Sequence, residues 1–178
     1  MTVTDGTPMV VVLSGPNLDL LGEREPEIYG YQHLADYITE AVDEGKRIGL
    51  AVEHHQSNHE GALVEEVHRA RKRVAGLIVN AGALSHTSWA LHDALTAFEG
   101  VVVELHLSNP AAREPFRHTS VLATASDGMI CGFGGLGYRL AVIAVGRLLG
   151  VKGSAIGVDA LGLVPPAADS VPRPEGWT

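Results

Sequence analysis

The 178 residues are 46% apolar and 19% charged and include 21 glycines, which supports one packed domain and excludes a disordered chain. A net charge of −8 excludes a broad basic face, so no nucleic acid is expected as a partner, and any anionic ligand needs a local basic pocket. The single cysteine, Cys131, excludes an intramolecular disulfide and a multi-cysteine metal site; within GMICGF it reads as a small buried hydrophobe.

The leading MTVTDGTPM has neither the basic stretch nor the apolar core of a secretory leader, so a cytoplasmic location is expected. The first strand is predicted at Met9–Leu13, followed by a turn at Ser14, Gly15, Pro16 and Asn17, then Arg24 and Tyr29. Leu34, Ile38 and Val42 recur at helical spacing. A second strand over Leu50–Gln56 ends in polar His54–His55–Gln56, which predicts an edge position. Leu63, Val67 and Ala70 mark a helix, Gly76–Asn80 a third strand, and Leu91, Leu95 and Phe98 another helix. A fourth strand at Val101–Leu107 and a fifth at Gly128–Phe133 precede a helix over Tyr138–Leu149, apolar nearly all round and expected to be buried. No apolar run reaches the length of a membrane span, so no membrane is expected.

Short, nearly continuous apolar strands alternating with helices predict an α/β fold with a parallel sheet covered on both faces. For five strands the commonest order is 2-1-3-4-5, the flavodoxin-like arrangement. Residues 1–150 are read as a single flavodoxin-like catalytic domain and residues 151–178 as a Gly/Pro-rich C-terminal tail.

Ligands of such sheets sit beyond the carboxyl ends of the strands. Those ends collect Ser14, Asn17, Arg24, Tyr29, Asn80, His86, Glu104, His106, Ser108, Arg113 and Arg117. Glu104 and His106 are two apart on one strand and share a face. A carboxylate beside a histidine fixes the ring tautomer and favours its charged form, which suits a general acid; a satisfied buried ion pair is the plain alternative. A tyrosine phenol, with its ordinary pKa of about 10, is a poor base at neutral pH unless a guanidinium such as that of Arg24 favours the phenolate of Tyr29. A packing role for Tyr29 is the simpler reading. The stretch after the first strand is neither a P-loop nor a dinucleotide fingerprint, and LSGPN is not the GxSxG of a serine nucleophile. His54, His55 and His59 lack metal-binding spacing and read as a solvated edge-strand cluster, so no metal is expected.

GPNLDLLGEREPEIYG, QSNHEG, NAGALSHTSWALHDAL, VELHLSNPAAREPFRHTS and GFGGLGY resemble, in order and spacing, type II 3-dehydroquinases (3-dehydroquinate dehydratases), over roughly residues 9–149. The resemblance implies no cofactor, a homo-oligomer of trimers assembled into a dodecamer, and 3-dehydroquinate as substrate in the shikimate or quinate pathway. It implies that Tyr29 abstracts a C2 proton, that Arg24 keeps Tyr29 ionised, and that Asn17 helps hold a water against the enolate oxygen. It makes His106 the acid that protonates the departing hydroxyl, with Asn80 and Glu104 as its supports. Ser108 and the backbone N–H groups of Leu107 and Ser108 would meet the substrate carboxylate, and His86 and Arg117 the ring hydroxyls. Asp93 would contact a neighbouring subunit's substrate. Ser14 stands where the family usually has asparagine, and Pro110–Ala111 stiffen a loop where an aliphatic residue is usual. Two other classes are open: a non-catalytic flavodoxin-like binding or assembly module, and a serine hydrolase built on Ser14.

Overall fold

The structure, a computed structural model, describes residues 6–23, 31–151 and 153. Five strands, β1 (Met9–Ser14), β2 (Ala51–Gln56), β3 (Gly76–Asn80), β4 (Val101–His106) and β5 (Gly128–Cys131), pair in parallel in the order β2-β1-β3-β4-β5. This is the flavodoxin-like order, with β2 at one edge as its polar end predicts. The fourth and fifth strands end earlier than expected. Past His106 the chain turns, and the Gly132 and Gly134 N–H groups bond the Ser108 and Leu107 carbonyls at 3.0 and 2.9 Å. Gly132, at φ 87°, takes the left-handed conformation that stops β5.

Helices α1 (Leu34–Ile48) and α4 (Leu136–Leu148) cover one face of the sheet; α2 (Glu60–Ala70) and α3 (Trp89–Thr96) cover the other. Val10, Val12 and Ile78 pack under α1 and α4, while Val11, Leu77 and Val102 pack under α2 and α3. Strand alternation then dictates where the polar residues at the strand ends go. Ser14 and Asn80 continue the α1–α4 face; Glu104 and His106 continue the α2–α3 face.

On α1 the core side is Leu34, Tyr37, Ala41 and Ile48, with Ile38 only partly buried beside it. Tyr37 stacks on Tyr138 of α4 with ring centres 6.0 Å apart. Buried Glu44 closes the seam between the two helices through Arg139 Nη2 of α4 at 3.1 Å, and Arg47 of its own helix pairs with its other oxygen. The last helix departs from expectation. Tyr138, Ala141, Val142 and Val145 are buried, but Leu136 and Leu148 are exposed because α4 meets the sheet and α1 along one side only.

One close approach fixes the turn after β1. The Gly15 N–H donates to the Asn80 carbonyl at 2.8 Å, and a Cβ at Gly15 would lie 2.4 Å from the Ala81 carbonyl oxygen. The obstructing atoms are backbone, so they cannot rotate away. Gly15→Ala is expected to cost about 2–3 kcal/mol, read as a lower urea midpoint; a midpoint equal to wild type would show that the two strand ends tolerate separation.

Candidate active site

A cleft of ≈ 180 Å³ opens beyond the carboxyl ends of β1, β3 and β4, where the order of strands switches direction. Asn17, Asn80, His86, His106, Ser108 and Arg117, all from the strand-end reading, line it, and so does Leu107, which the resemblance added. Leu18 and Leu21 form an apolar wall, and Arg113 joins Arg117 in making the cleft locally basic within an acidic chain.

Asn17 has φ 65°, the only left-handed non-glycine among the described residues, a conformation asparagine tolerates better than most. The loop after β2 holds it there. Asn58 Oδ1 accepts from the Asn17 N–H at 2.8 Å, while Asn58 Nδ2 donates to Asp19 at 3.0 Å and Gln56 Nε2 donates to Asn58 Oδ1 at 3.2 Å. The QSN stretch thus supports the GPN turn across the β1–β2 edge.

Glu104 is fully buried and His106 is 6% exposed. Their contact, His106 Nε2 to Glu104 Oε1, is 2.8 Å. A carboxylate oxygen only accepts, so Nε2 carries the proton and Nδ1 is the nitrogen left for the cleft. The Ser120 hydroxyl donates to the same Oε1 at 2.6 Å, tying the carboxylate to the segment that follows Arg117. Sequence reasoning missed Ser120, although it lies within the FRHTS block. The His86 ring stacks on that of His106 at 6.1 Å and donates from Nδ1 to the Thr119 carbonyl at 2.8 Å, leaving its Nε2 unprotonated in the neutral ring.

The two arginines share one short segment. Arg117 Nε donates to Glu114 at 2.9 Å and its guanidinium lies 4.7 Å from the Phe116 ring centre; Arg113 reaches Ser108 Oγ at 3.4 Å. Ser108 is therefore held by a cation that can also meet an anionic ligand.

Asn80 lines the cleft but is tied elsewhere than expected. Instead of supporting His106, its Nδ2 donates to the Tyr138 hydroxyl at 3.3 Å, because Asn80 and His106 continue opposite faces of the sheet. Ser14 is fully buried and is not part of the cleft wall. Its Oγ lies 3.0 Å from His54 Nε2. A serine–histidine pair therefore exists, formed across strands where the sequence shows no local partner, but a nucleophile needs access to substrate and this hydroxyl has none. The histidine cluster also differs from a fully solvated one: His54 turns inward to Ser14, half-buried His55 lies 3.9 Å from Glu66, and only His59 is exposed. Cys131 is half-buried on the edge strand β5 rather than in the core. Among the described residues no group of three or more His, Cys, Asp or Glu is arranged to hold a metal ion.

Burial, helped by the nearby charge of His55, lowers the His54 pKa from 6.5 to about 4. Between those values the unfolded chain binds a proton that the fold refuses, so stability falls as pH drops from 6.5 towards 4. After allowance for solvent screening the loss is about 2 kcal/mol. His54→Gln is expected to remove that share of the acid destabilisation in urea unfolding at pH about 7.5 and 4.5; an unchanged pH dependence in the variant would contradict it.

Asp93 does not line this cleft; its side chain is 82% exposed on α3, against His92. Arg24 and Tyr29 lie outside the described residues, three and eight positions beyond the cleft residue Leu21.

A parallel sheet of this order, with a carboxylate-paired histidine and two arginines around a cleft at its carboxyl edge, defines a flavodoxin-like fold whose site has the groups that acid–base chemistry needs. The family described as Dehydroquinase class II matches residues 8–146. The 3-dehydroquinate dehydratase 1 of Agrobacterium fabrum is 52% identical over 137 residues, covering 77% of this chain and 94% of that protein. A 3-dehydroquinate dehydratase of a Bradyrhizobium species is 56% identical over 142 residues, covering 79% and 87%. Among solved structures, a type II dehydroquinase from Propionibacterium acnes superposes with a TM-score of 0.77 at 38% identity, covering 79% of this chain and 97% of that one. The chain belongs to the class II dehydroquinase family. No helix among the described residues is long and apolar enough to cross a membrane.

Proposed function

We propose that the chain is a hydro-lyase that converts 3-dehydroquinate to 3-dehydroshikimate and water by trans elimination, in the shikimate or quinate pathway. The observation that carries this reading is the buried Glu104–His106 pair opening onto a basic cleft, supported by relatives that bear the dehydratase name. Tyr29, kept ionised by Arg24, takes a proton from C2, and the electrons of that bond form an enolate. Asn17 helps hold a water against the enolate oxygen, so a preorganised donor meets the developing charge. As the enolate collapses to the C1–C2 double bond, the C1 oxygen leaves and His106 supplies the proton that makes it water.

Glu104, anchored by Ser120, orients His106 through its Nε2–H, and the proton delivered in this step is the one that the doubly protonated ring carries on Nδ1. Asn80 contacts the substrate from the other side of the sheet. Ser108, with the backbone N–H groups of Leu107 and Ser108, receives the substrate carboxylate, and His86 and Arg117 bind ring hydroxyls. No cofactor takes part in this reaction. The catalytic unit is residues 1–150, in line with the family match at 8–146, and 151–178 is an appended tail. The chain acts in the cytoplasm as trimers assembled into a dodecamer. The exposed position of Asp93, away from its own cleft, supports its reaching a neighbouring subunit's substrate.

Incubation with 3-dehydroquinate tests the reaction: the conjugated enone absorbance of 3-dehydroshikimate is expected to rise. Folded protein that gives no such signal would favour a binding module. Sizing the same sample tests the assembly.

A further inference from the structure

The stretch between β1 and the apolar wall of the cleft is held from outside by two side chains that the elimination as written does not use, Gln56 and Asn58. Gln56 ends β2 in register with Ser14, and the ladder runs one bond further, from the Ser57 N–H to the Ser14 carbonyl at 3.0 Å. The loop after β2 therefore lies alongside the residues that follow Ser14. Gln56 Nε2 donates to the Gly15 carbonyl at 3.3 Å and to Asn58 Oδ1 at 3.2 Å. Asn58 Oδ1 accepts from the Asn17 N–H at 2.8 Å, and Asn58 Nδ2 donates to Asp19 at 3.0 Å. Gly15, Asn17 and Asp19 are thus tied to one loop.

The outer partners fix the direction of every bond. A backbone N–H only donates, while a backbone carbonyl and a carboxylate only accept. The Asn58 oxygen must therefore face Asn17, its nitrogen must face Asp19, and the Gln56 nitrogen must face Gly15. Turning the Asn58 amide over would set N–H against N–H at one end and oxygen against carboxylate at the other. Asn17 needs such a hold. At φ 65° and ψ 5° it is left-handed, which costs free energy in a residue with a Cβ, and its side chain does not cap the turn that it begins. Relaxing φ to negative values would pull the N–H away from Asn58 and re-aim the side chain that lines the cleft.

We infer that Asn58 is a positioning residue for the elimination: it bridges the Asn17 N–H and the Asp19 carboxylate, with Gln56 behind it, and so keeps Asn17 in the conformation that presents its side chain to the cleft. The inference rests on the dehydratase reading, in which Asn17 helps hold the water that meets the enolate oxygen. That charge exists only once the C2 proton has gone, so a misplaced Asn17 slows turnover and leaves substrate binding nearly unchanged.

Steady-state kinetics on 3-dehydroquinate test this. Asn58→Ala is expected to lower kcat by about 3- to 10-fold, the worth of one or two hydrogen bonds, with KM moving less than about twofold. Asn58→Asp still accepts from the Asn17 N–H but sets a second carboxylate against Asp19, and is expected to be slowed as well. Asp19→Asn/Asn58→Asp exchanges amide and carboxylate between the two positions, so the bridge reforms and kcat is expected to return to within about twofold of wild type. Asn17→Ala/Asn58→Ala should be no slower than Asn17→Ala, because Asn58 acts through Asn17, whereas a general loosening of the loop would add to the loss. Losses that fall on KM alone, multiply in Asn17→Ala/Asn58→Ala or persist in the exchange variant would overturn the inference. Asn17→Ala separates the two levels. If it keeps wild-type kcat, the Asn17 role fails and the inference with it. If Asn17→Ala is slow while Asn58→Ala is not, only the inference fails.

Discussion

His106→Asn is expected to lower kcat on 3-dehydroquinate by about 10²–10⁴-fold, the usual worth of a positioned general acid, while KM changes by a few-fold at most. Asparagine keeps a polar side chain on a strand that is otherwise buried, so the fold should survive the change. In the proposed reaction, what disappears is the group that protonates the leaving oxygen, and a hydroxide is a far poorer leaving group than water. Glu104→Gln should cost less. An amide can still hold the ring, but it lacks the negative charge that favours the protonated imidazole. The amide can also donate to Nε2, which would move the ring proton to Nδ1. The double variant should be no worse than His106→Asn alone, because Glu104 acts through His106. A His106→Asn enzyme that kept more than about a tenth of wild-type kcat would remove His106 from the acid role.

Tyr29→Phe should be comparably severe, about 10²–10⁴-fold in kcat, because it deletes one oxygen and with it the proposed base. Arg24→Ala should also depress kcat far more than it raises KM, but its pH dependence should differ. Each tenfold gain in phenolate population takes about 1.4 kcal/mol of preference for the charged form, which a neighbouring guanidinium can provide. Removing the cation raises the pKa of the phenol, so kcat of Arg24→Ala should recover as pH rises. Tyr29→Phe should not recover at any pH. Rate–pH profiles of the two variants read this directly. Parallel profiles would mean that Arg24 does not act through the ionisation of Tyr29.

Much of the architecture was legible in the sequence because the strands are short valine-rich runs and a parallel sheet buries both of their faces. The polar end of β2 announced its edge position, and the residues at the carboxyl ends of β1, β3 and β4 marked the cleft. The paired face of Glu104 and His106 followed from strand alternation alone. What could not be read was who bonds to whom across the sheet. Ser14 meets His54 over 40 positions and Asn80 meets Tyr138 over 58. Alternation assigns a face, but only the register and the seating of α4 choose the partner. Ser120 escaped notice for the same reason, since its contact with Glu104 depends on how the loop after β4 folds back. The helix over Leu136–Leu148 misled because an apolar sequence states what could be buried, and only its neighbours decide which side is.

The placement of Glu104 and His106 on one face of the sheet, with Ser14 and Asn80 on the other, has a bearing on how this enzyme can be altered. The close-packed strands between them act as insulation. The Glu104–His106 pair and the groups behind Asn80 come together only at the cleft, and each side packs under its own helices. Repacking around Ser120 should therefore leave the Tyr138 side untouched, and changes at Ser14 or His54 should leave the Glu104–His106 pair in place. Such a division gives two dials that turn separately, one on each face of the sheet.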